Sequence, residues 1–342
     1  YYFYLNLKQL TVRNILNSAL ILSLLLVSQF SKAQSDVDKL IAEMLLIADN
    51  FATPGAEGAT LQSSAGWFSS ASTLDKWQVE VSVHGNALIV PSSKQDKILS
   101  DSDFSRLHED GERILSIQPS SPQLFPTVYG GDSDFRFEGT IFGQDFEFDA
   151  LDGLDKKVVV HAFPQVTVGL PFKTEIALRY LPEVFINDVG ISTYGVGLKH
   201  NISQYFQKRF NAEDFQFALV ATYSNFQANY KFLPLDIQIA NLNRIDVDAD
   251  LFNVQALGSK LYDTFEVVGG VGYTNSSFDY AFGGTGGSLA ALNDALSGIG
   301  KNEGKFKGTI GFNFYANKLK VSTLLTASNL FNANVGLHYR FN

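Results

Sequence analysis

The residues best suited to acid–base or nucleophilic chemistry do not fall into the spacings that such chemistry requires. The five histidines are His84, His108, His161, His200 and His338, and no two stand four positions apart, as in a helical zinc site. A serine hydrolase would need Ser, His and an acid close together, yet no Gly-x-Ser-x-Gly motif occurs. Cysteine is absent, which excludes disulfides and thiol catalysis. We therefore predict no catalytic residue, no metal and no cofactor, and we keep a lipid hydrolase only as an alternative function.

Two further motifs have binding chemistry as one of their interpretations. Asp246, Asp248 and Asp250 alternate with apolar residues, and calcium prefers carboxylate oxygens. The segment lacks the Gly and Glu of an EF-hand loop, so we interpret it as the solvated start of a strand. Residues 283–287 are rich in Gly but are not followed by Lys-Ser or Lys-Thr, which favours a flexible loop tip over a phosphate site. Leu289–Leu296 after it is predicted to form a short helix.

Charged and polar residues recur at every second position of several segments. This set is more informative about the barrel interior than the two motifs above. A mixture of both charge signs on one strand face is typical of the filled interior of a narrow barrel, which disfavours a wide diffusion pore. The predicted lumen-lining residues are Glu80, His84, His161, Glu175, Arg179, Lys199, Glu266, Lys307, Lys320, His338 and Arg340. Phe163, Phe226 and Leu324 are expected to face inward as well and to line an apolar pocket.

Strands must position these residues, and a period of two runs from Trp77 to the C-terminus. In the last strand, Val335, Leu337, Tyr339 and Phe341 fall on one face, opposite His338 and Arg340. The pattern predicts ten clear strands, at 77–90, 158–170, 173–181, 190–202, 214–230, 247–259, 263–277, 304–315, 318–328 and 333–341.

The lengths of the connections between strands distinguish a membrane barrel from a soluble β-domain, because the alternation of apolar and polar residues fits both. Short turns at 171–173, 260–262 and 316–318 mostly alternate with long connections at 91–157, 231–246 and 278–303, as in outer-membrane barrels. Two connections depart from the pattern, a longer one at 204–213 and a short one at 328–332. The predicted fold is all-β, an antiparallel transmembrane β-barrel at residues 73–342. We estimate twelve strands, within a range of 10–14, because four segments between 113 and 148 could add pairs to the wall.

Residues 1–33 have the pattern of a secretory signal peptide, with cleavage expected near Ala33. The alternatives are a membrane anchor and a buried helix. Residues 35–51 are predicted to form a short N-terminal α-helix that Pro54-Gly55 ends, within a periplasmic helix and connector at 34–72. Its apolar face, expected either to plug the barrel mouth or to pack on the rim, contains Val37, Leu40, Ile41, Met44 and Leu45.

The formal net charge is −9 and no basic patch occurs, so nucleic acid is not an expected partner. The expected partners are outer-membrane lipid and a hydrophobic small-molecule ligand, and the expected location is the outer membrane. The C-terminal segment Val335–Phe341 resembles the signal that barrel-assembly machinery recognises, with Val335, Leu337, Tyr339 and Phe341 as its apolar positions, although Asn342 follows the terminal Phe.

Three further stretches resemble an uncharacterised family of outer-membrane proteins from Bacteroidetes-type bacteria. They are residues 66–68 (Gly-Trp-Phe), 168–182 and 195–203. That resemblance implies a barrel and supplies no activity. A helix before a barrel is also similar in architecture to FadL-type transporters of long-chain fatty acids. We predict a barrel that passes or binds a hydrophobic or amphipathic small molecule through a narrow, partly plugged lumen. The alternative is a structural or surface-binding barrel that acts through its extracellular loops.

Overall fold

The computed structural model describes residues 35–186, 189–206, 215–297 and 303–341, so the predicted signal peptide lies outside the described residues. Within them, ten antiparallel strands close into a barrel, in the order β1-β15-β14-β13-β12-β11-β10-β9-β8-β7. These strands are β1 Val79–Ile89, β7 Val158–Leu170, β8 Thr174–Ile186, β9 Val189–Asn201, β10 Phe215–Asp236, β11 Asn241–Tyr262, β12 Phe265–Thr285, β13 Glu303–Ala316, β14 Leu319–Ala327 and β15 Phe331–Phe341.

The barrel has apolar side chains outside and polar ones inside, the reverse of a water-soluble domain. In β15, Val335 and Leu337 point outward and are 52% and 56% exposed, whereas Asn334 and His338 point inward and are buried. Because this alternation recurs around the closed wall, the outer surface suits lipid contact. The predicted antiparallel transmembrane barrel is confirmed, with ten wall strands instead of the estimated twelve. In the part of the chain that is described, no helix is long and apolar enough to span a membrane.

The extra strands expected between residues 113 and 148 exist, but they fold outside the wall. Residues 91–157, here called the cap, contain two small sheets, one of β2 and β4 and one of β3, β5 and β6. The strand bounds are β2 Asp96–Leu99, β3 Leu115–Gln118, β4 Gln123–Pro126, β5 Arg136–Ile141 and β6 Gln144–Asp149, with helix α2 at Asp101–Ser105. Most of their large apolar residues face a separate core rather than lipid, which alternation alone could not reveal, whereas Ile98 and Leu124 are exposed.

Regular structure extends into two connections predicted as loops. β10 and β11 continue through 231–246 and turn at residues 237–240, while β12 extends to Thr285 before helix α3, Leu289–Ser297. The predicted short helix there is confirmed. A strand of 22 residues is about 70 Å long at about 3.3 Å per residue, far more than a bilayer crossing needs. β10–β12 therefore project past the rim and pack on the cap.

The N-terminal helix, α1, spans residues 35–64, so the prediction that Pro54-Gly55 ends it is wrong. A proline within a helix removes one backbone hydrogen bond, and here packing on both sides of it compensates, since Phe51 and Ala56 are buried. The contacts of α1 place it at one end of the barrel. The end of the barrel that holds Val79 and Phe341 is here called the short-turn end, and α1 lies at the opposite, loop end, where Val128 N donates to Phe51 O at 3.0 Å.

The predicted apolar face of α1 packs in the core of the cap and does not enter the barrel mouth. Leu40, Ile41 and Met44 are buried there, and Val37 and Leu45 pack on the edge of the same core. Phe104, Phe125 and Phe137 of the cap and Leu292 of α3 complete it. The cap and α1 thus form one hydrophobic unit above the barrel.

Candidate functional site

A segment at residues 58–74, here called the plug, runs through the lumen from the loop end to the short-turn end. Near the loop end, Gln62 Nε2 donates to Val159 O at 3.1 Å. Near the short-turn end, Glu175 Oε1 accepts from Leu74 N at 2.5 Å. The ten residue-to-residue steps from 64 to 74 span at most about 33 Å, which exceeds the roughly 25 Å apolar band of a barrel. The plug therefore fills the lumen along its length.

Trp67 is the centre of the plug and fits a recess that glycines provide. Its indole Nε1 donates to Ser63 O at 2.9 Å, and the Arg179 guanidinium lies 4.1 Å from its ring centroid. Gly195 and Gly197 of β9 face the ring, and a Cβ added at Gly197 would lie 2.8 Å from Trp67 Cε3. The two short motifs noted in the sequence, 66–68 and 195–203, therefore meet in the lumen.

Side chains of the wall satisfy the backbone of the plug after residue 64, which is irregular and has no strand partner. Lys199 Nζ donates to Ser70 O at 2.9 Å, and Asn313 Nδ2 donates to Ser69 O at 2.7 Å. Lys307 Nζ donates to Ser64 O at 2.5 Å. An unpaired buried carbonyl would otherwise cost about 1–3 kcal/mol, so the wall replaces the hydrogen bonds of a sheet.

The predicted lumen residues lie on the inner face of the wall. Nine of the eleven are buried: Glu80, His84, Glu175, Arg179, Lys199, Glu266, Lys307, Lys320 and His338. Arg340 is half-buried and donates from Nε to Glu80 Oε2 at 2.9 Å. His161, also half-buried, lines a pocket at the loop end. The structure brings five of these residues, Glu175, Arg179, Lys199, Glu266 and Lys307, into contact with the plug, which periodicity could not identify because the plug is distant in sequence.

One buried group has the connectivity of a hydrolytic triad, and sequence spacing missed it. Ser322 Oγ lies 2.9 Å from His338 Nε2, and His338 Nδ1 lies 2.7 Å from Glu80 Oε1. Ser322 is completely buried, and Lys320 Nζ and Arg340 Nε also bind Glu80. Ser322 is therefore closed to solvent in the described conformation, where this group fills part of the lumen.

An apolar pocket of about 140 Å³ lies where α1, the cap and the barrel mouth meet. Small residues of α1, Ala52, Ala56 and Ala59, form one side at helical spacing and leave the space open. Strand side chains form the other side, among them Ile191 of β9 and Phe226 of β10. The prediction that Phe226 contributes to an apolar pocket is confirmed, whereas Phe163 and Leu324 are buried elsewhere in the lumen.

The size and chemistry of this pocket suit one apolar group. Its lining contains no carboxylate, lysine or arginine, and its polar side chains are Gln62, Tyr129, His161 and Tyr230. A dry cavity of about 150 Å³ lined by aliphatic and aromatic residues holds a benzene-sized molecule. A pocket this small therefore accommodates an aromatic ring or the end of an acyl chain.

Two carboxylates hold α1, and with it the pocket, in place. Glu43 is buried and accepts from Leu115 N at 2.7 Å and from His108 Nε2 at 2.8 Å. Burial raises the pKa of Glu43 above its ordinary value, although these hydrogen bonds oppose the shift. Glu57 binds Lys94 of the cap at 2.6 Å and Lys305 of β13 at 2.7 Å. Burial raises its pKa, but the two lysines outweigh that effect and the net pKa is lowered.

Other candidate motifs do not form a binding site in the described structure. Asp246 and Asp248 lie within β11 instead of at its solvated start, so that interpretation is wrong. Asp248 accepts from Asn225 Nδ2 at 2.7 Å, and Asp250 accepts from Tyr223 Oη at 2.5 Å. Among the described ranges, no group of three or more His, Asp or Glu residues is arranged to hold a metal ion.

Comparison with known proteins gives a family and a general architecture. A sequence-family profile described as a family of unknown function (DUF6588) matches residues 12–341. Among curated protein sequences, none matches significantly.

Solved structures that match include Ail, the attachment invasion locus protein of Yersinia pestis, at 9% identity and a TM-score of 0.27, over 78% of this chain and 99% of Ail. The outer membrane protease OmpT from Escherichia coli matches at 11% identity and a TM-score of 0.30, over 80% and 100% of the two chains. The translocator domain of the autotransporter NalP from Neisseria meningitidis matches at 11% and 0.34, over 85% and 96%. Similarity this low carries no functional inference.

Proposed function

Since the chain belongs to DUF6588, a family of unknown function, we propose a function from its geometry: a barrel that binds the apolar end of a small amphipathic molecule at its loop end while the plug closes its lumen. The apolar pocket of about 140 Å³ between α1, the cap and the mouth is the observation that carries this proposal. Passage through the lumen requires the plug to move.

We place the barrel in the outer membrane with its short-turn end toward the periplasm. Short periplasmic turns and long outer connections are the usual asymmetry of such barrels. The turns at 171–173, 263–264 and 317–318 lie at one end, and the cap follows β1 at the other. The cap, α1 and the pocket then face the cell exterior, which gives the pocket access to molecules that arrive from outside.

A pocket-filling substitution tests the proposal. The probe is palmitic acid that carries a terminal diazirine, irradiated with the purified full-length protein in phosphatidylcholine vesicles, and the adduct is located by peptide mass spectrometry. We expect adducts on the peptides that contain Ala56 and Phe226. The Ala56→Phe variant should lose them, because a phenyl ring fills a cavity of benzene size.

The matched control is Ala291→Phe, a change on the exposed side of α3 away from the pocket. It should leave the pocket adduct unchanged, and heat-dependent gel migration should show that both variants retain a folded barrel. Adducts spread evenly over the lipid-facing wall, or a pocket adduct that persists in Ala56→Phe, would overturn the proposed binding site.

A further inference from the structure

The wall of the barrel is split between β7 and β8 over its half nearest the loop end. Their register runs from Leu170↔Thr174 to Gln165↔Arg179 and stops there, although β7 continues to Val158 and β8 to Ile186. On its other side, β7 pairs with β1 from Val168 to Val158 without interruption. The unpaired stretch of seven residues is about 23 Å long at about 3.3 Å per residue.

Two prolines explain why the strands separate at this level. Pro164 is the first unpaired residue of β7, and it has no N–H to donate to a neighbouring strand. Pro182 lies in β8 at the register shift between Leu181 and Val184, where the pairing of β8 with β9 is irregular. Proline is found in sheets mainly at edges and bulges, so each lip of the split carries a residue that disfavours closure.

The apolar pocket lies behind this split. Val159 and His161 of β7 and Val189 and Ile191 of β9 line the pocket, yet no described residue of β8 does so. β8 stands between β7 and β9 in the order of the barrel, so it is the strand that would separate the pocket from the membrane. The split therefore leaves the wall unpaired between β7 and β8 beside the pocket.

The lips of the split are mostly apolar and face outward, although β8 also carries Glu183, which is exposed and accepts from Asn229 Nδ2 at 2.7 Å. Val158 and Val160 of β7 are 47% and 60% exposed, and Phe185 of β8 is 59% exposed. Toward the short-turn end the split closes beside Phe163, whose ring lies 3.9 Å from the Arg179 guanidinium. A path with apolar sides and a charged, closed floor suits a hydrocarbon chain that enters from the side and cannot continue down the plugged lumen.

We propose that the split between β7 and β8 is a lateral entrance through which an acyl chain in the outer leaflet reaches the apolar pocket. This inference rests on the proposed binding function and adds the route and the source of the ligand. It predicts that a probe dissolved in the membrane labels the pocket, and that an obstacle placed in the split prevents this labelling.

Cysteine chemistry provides the obstacle, since the natural chain contains no cysteine. Ala162 is an exposed, outward-facing residue of β7 with a partner on β1 and no partner on β8. Ala162→Cys would be modified with a sulfonated methanethiosulfonate, which adds a reversible charged group at the lip. Ala221→Cys is the matched control, because Ala221 is also exposed and lies in β10 with partners on both sides, Leu198 and Val254.

The assay uses the diazirine palmitate embedded in phosphatidylcholine vesicles that contain the full-length protein. We expect the pocket adduct to fall to the unirradiated background when Ala162→Cys is modified and to return after reduction. Modification of Ala221→Cys should leave the adduct unchanged. An undiminished adduct on modified Ala162→Cys, together with its loss in Ala56→Phe, would overturn the entrance and leave the pocket standing. No adduct in the unmodified protein would instead overturn the proposed function.

Discussion

Replacing Gly197 with valine should displace the plug without a direct change to the outside of the barrel. A Cβ at Gly197 would lie 2.8 Å from Trp67 Cε3 and 3.1 Å from Phe68 Cε2. Contacts under 3.0 Å essentially never occur for a real Cβ, so the plug must shift. Trp67 has little freedom to do so, because its indole is bonded to Ser63 O and stacked against Arg179.

The size of the effect follows from the overpacking. Extra methyl groups in a well-packed site cost about 1–3 kcal/mol. If this cost destabilises only the state in which the plug lies in the lumen, the ratio of displaced to docked plug rises by about 5- to 150-fold. Valine adds two more methyl groups than alanine, so Gly197→Val should displace the plug more than Gly197→Ala does. Removing the indole should relieve the clash, so Trp67→Ala combined with Gly197→Val is expected to cost less than the sum of the single changes.

Ion current across a planar bilayer measures the displaced plug directly. The unmodified protein should conduct little, because the plug fills the lumen, and Gly197→Val should open discrete channels. Gly308→Val is the control, since no atom lies within 4 Å of a Cβ at Gly308, on the outer face of β13. Equal currents in Gly197→Val, Gly308→Val and the unmodified protein would refute the idea that Trp67 and its glycine recess seal the lumen.

Three further changes test separate parts of the structure. Glu175→Gln leaves Lys199 charged and buried in the lumen, so unfolding in urea, followed by gel migration, should show a loss of about 3–5 kcal/mol. Glu57 has a lowered pKa, so its stabilising contribution is present above the ordinary value of 4.5 and is lost as pH falls below it through the lowered pKa. The protection factors of α1 amides, which compare measured exchange with the intrinsic rate at each pH, should therefore fall with acid in that window, and Glu57→Gln should remove this component. A fluorophosphonate should not label the protein, because Ser322 is buried.

Each of these results has a matched comparison. Arg136→Ala disrupts an exposed ion pair with Glu138 and should cost at most about 1 kcal/mol, so an equal loss in Glu175→Gln would contradict the buried pair. Glu138→Gln should leave the pH dependence of α1 unchanged. Fluorophosphonate labelling that disappears in Ser322→Ala would restore the hydrolase alternative.

The sequence predicted the wall of the barrel well because lipid and lumen impose a period of two on every strand. That is why all ten clear strands are present, with β7 at its predicted bounds. An alternation with a period of two indicates only that one face of a strand is apolar. The strand that contains Phe137 therefore resembled a membrane strand, although Phe137 faces the core of the cap. The contact between Trp67 and Gly197 joins residues 130 positions apart, and no local pattern encodes such a pair.

The plug changes how the charges of the lumen are balanced. Of the predicted lumen residues, five are cationic and three are carboxylates, which leaves a net charge of +2 with neutral histidines. Lys307 and Arg179 donate to plug carbonyls at Ser64 and Ala65, so part of that positive charge is balanced by peptide dipoles. When the plug leaves, those dipoles leave with it while the cations stay on the wall. Channels opened by Gly197→Val should therefore select anions over cations in a salt gradient, and cation-selective channels would mean that the current follows another path.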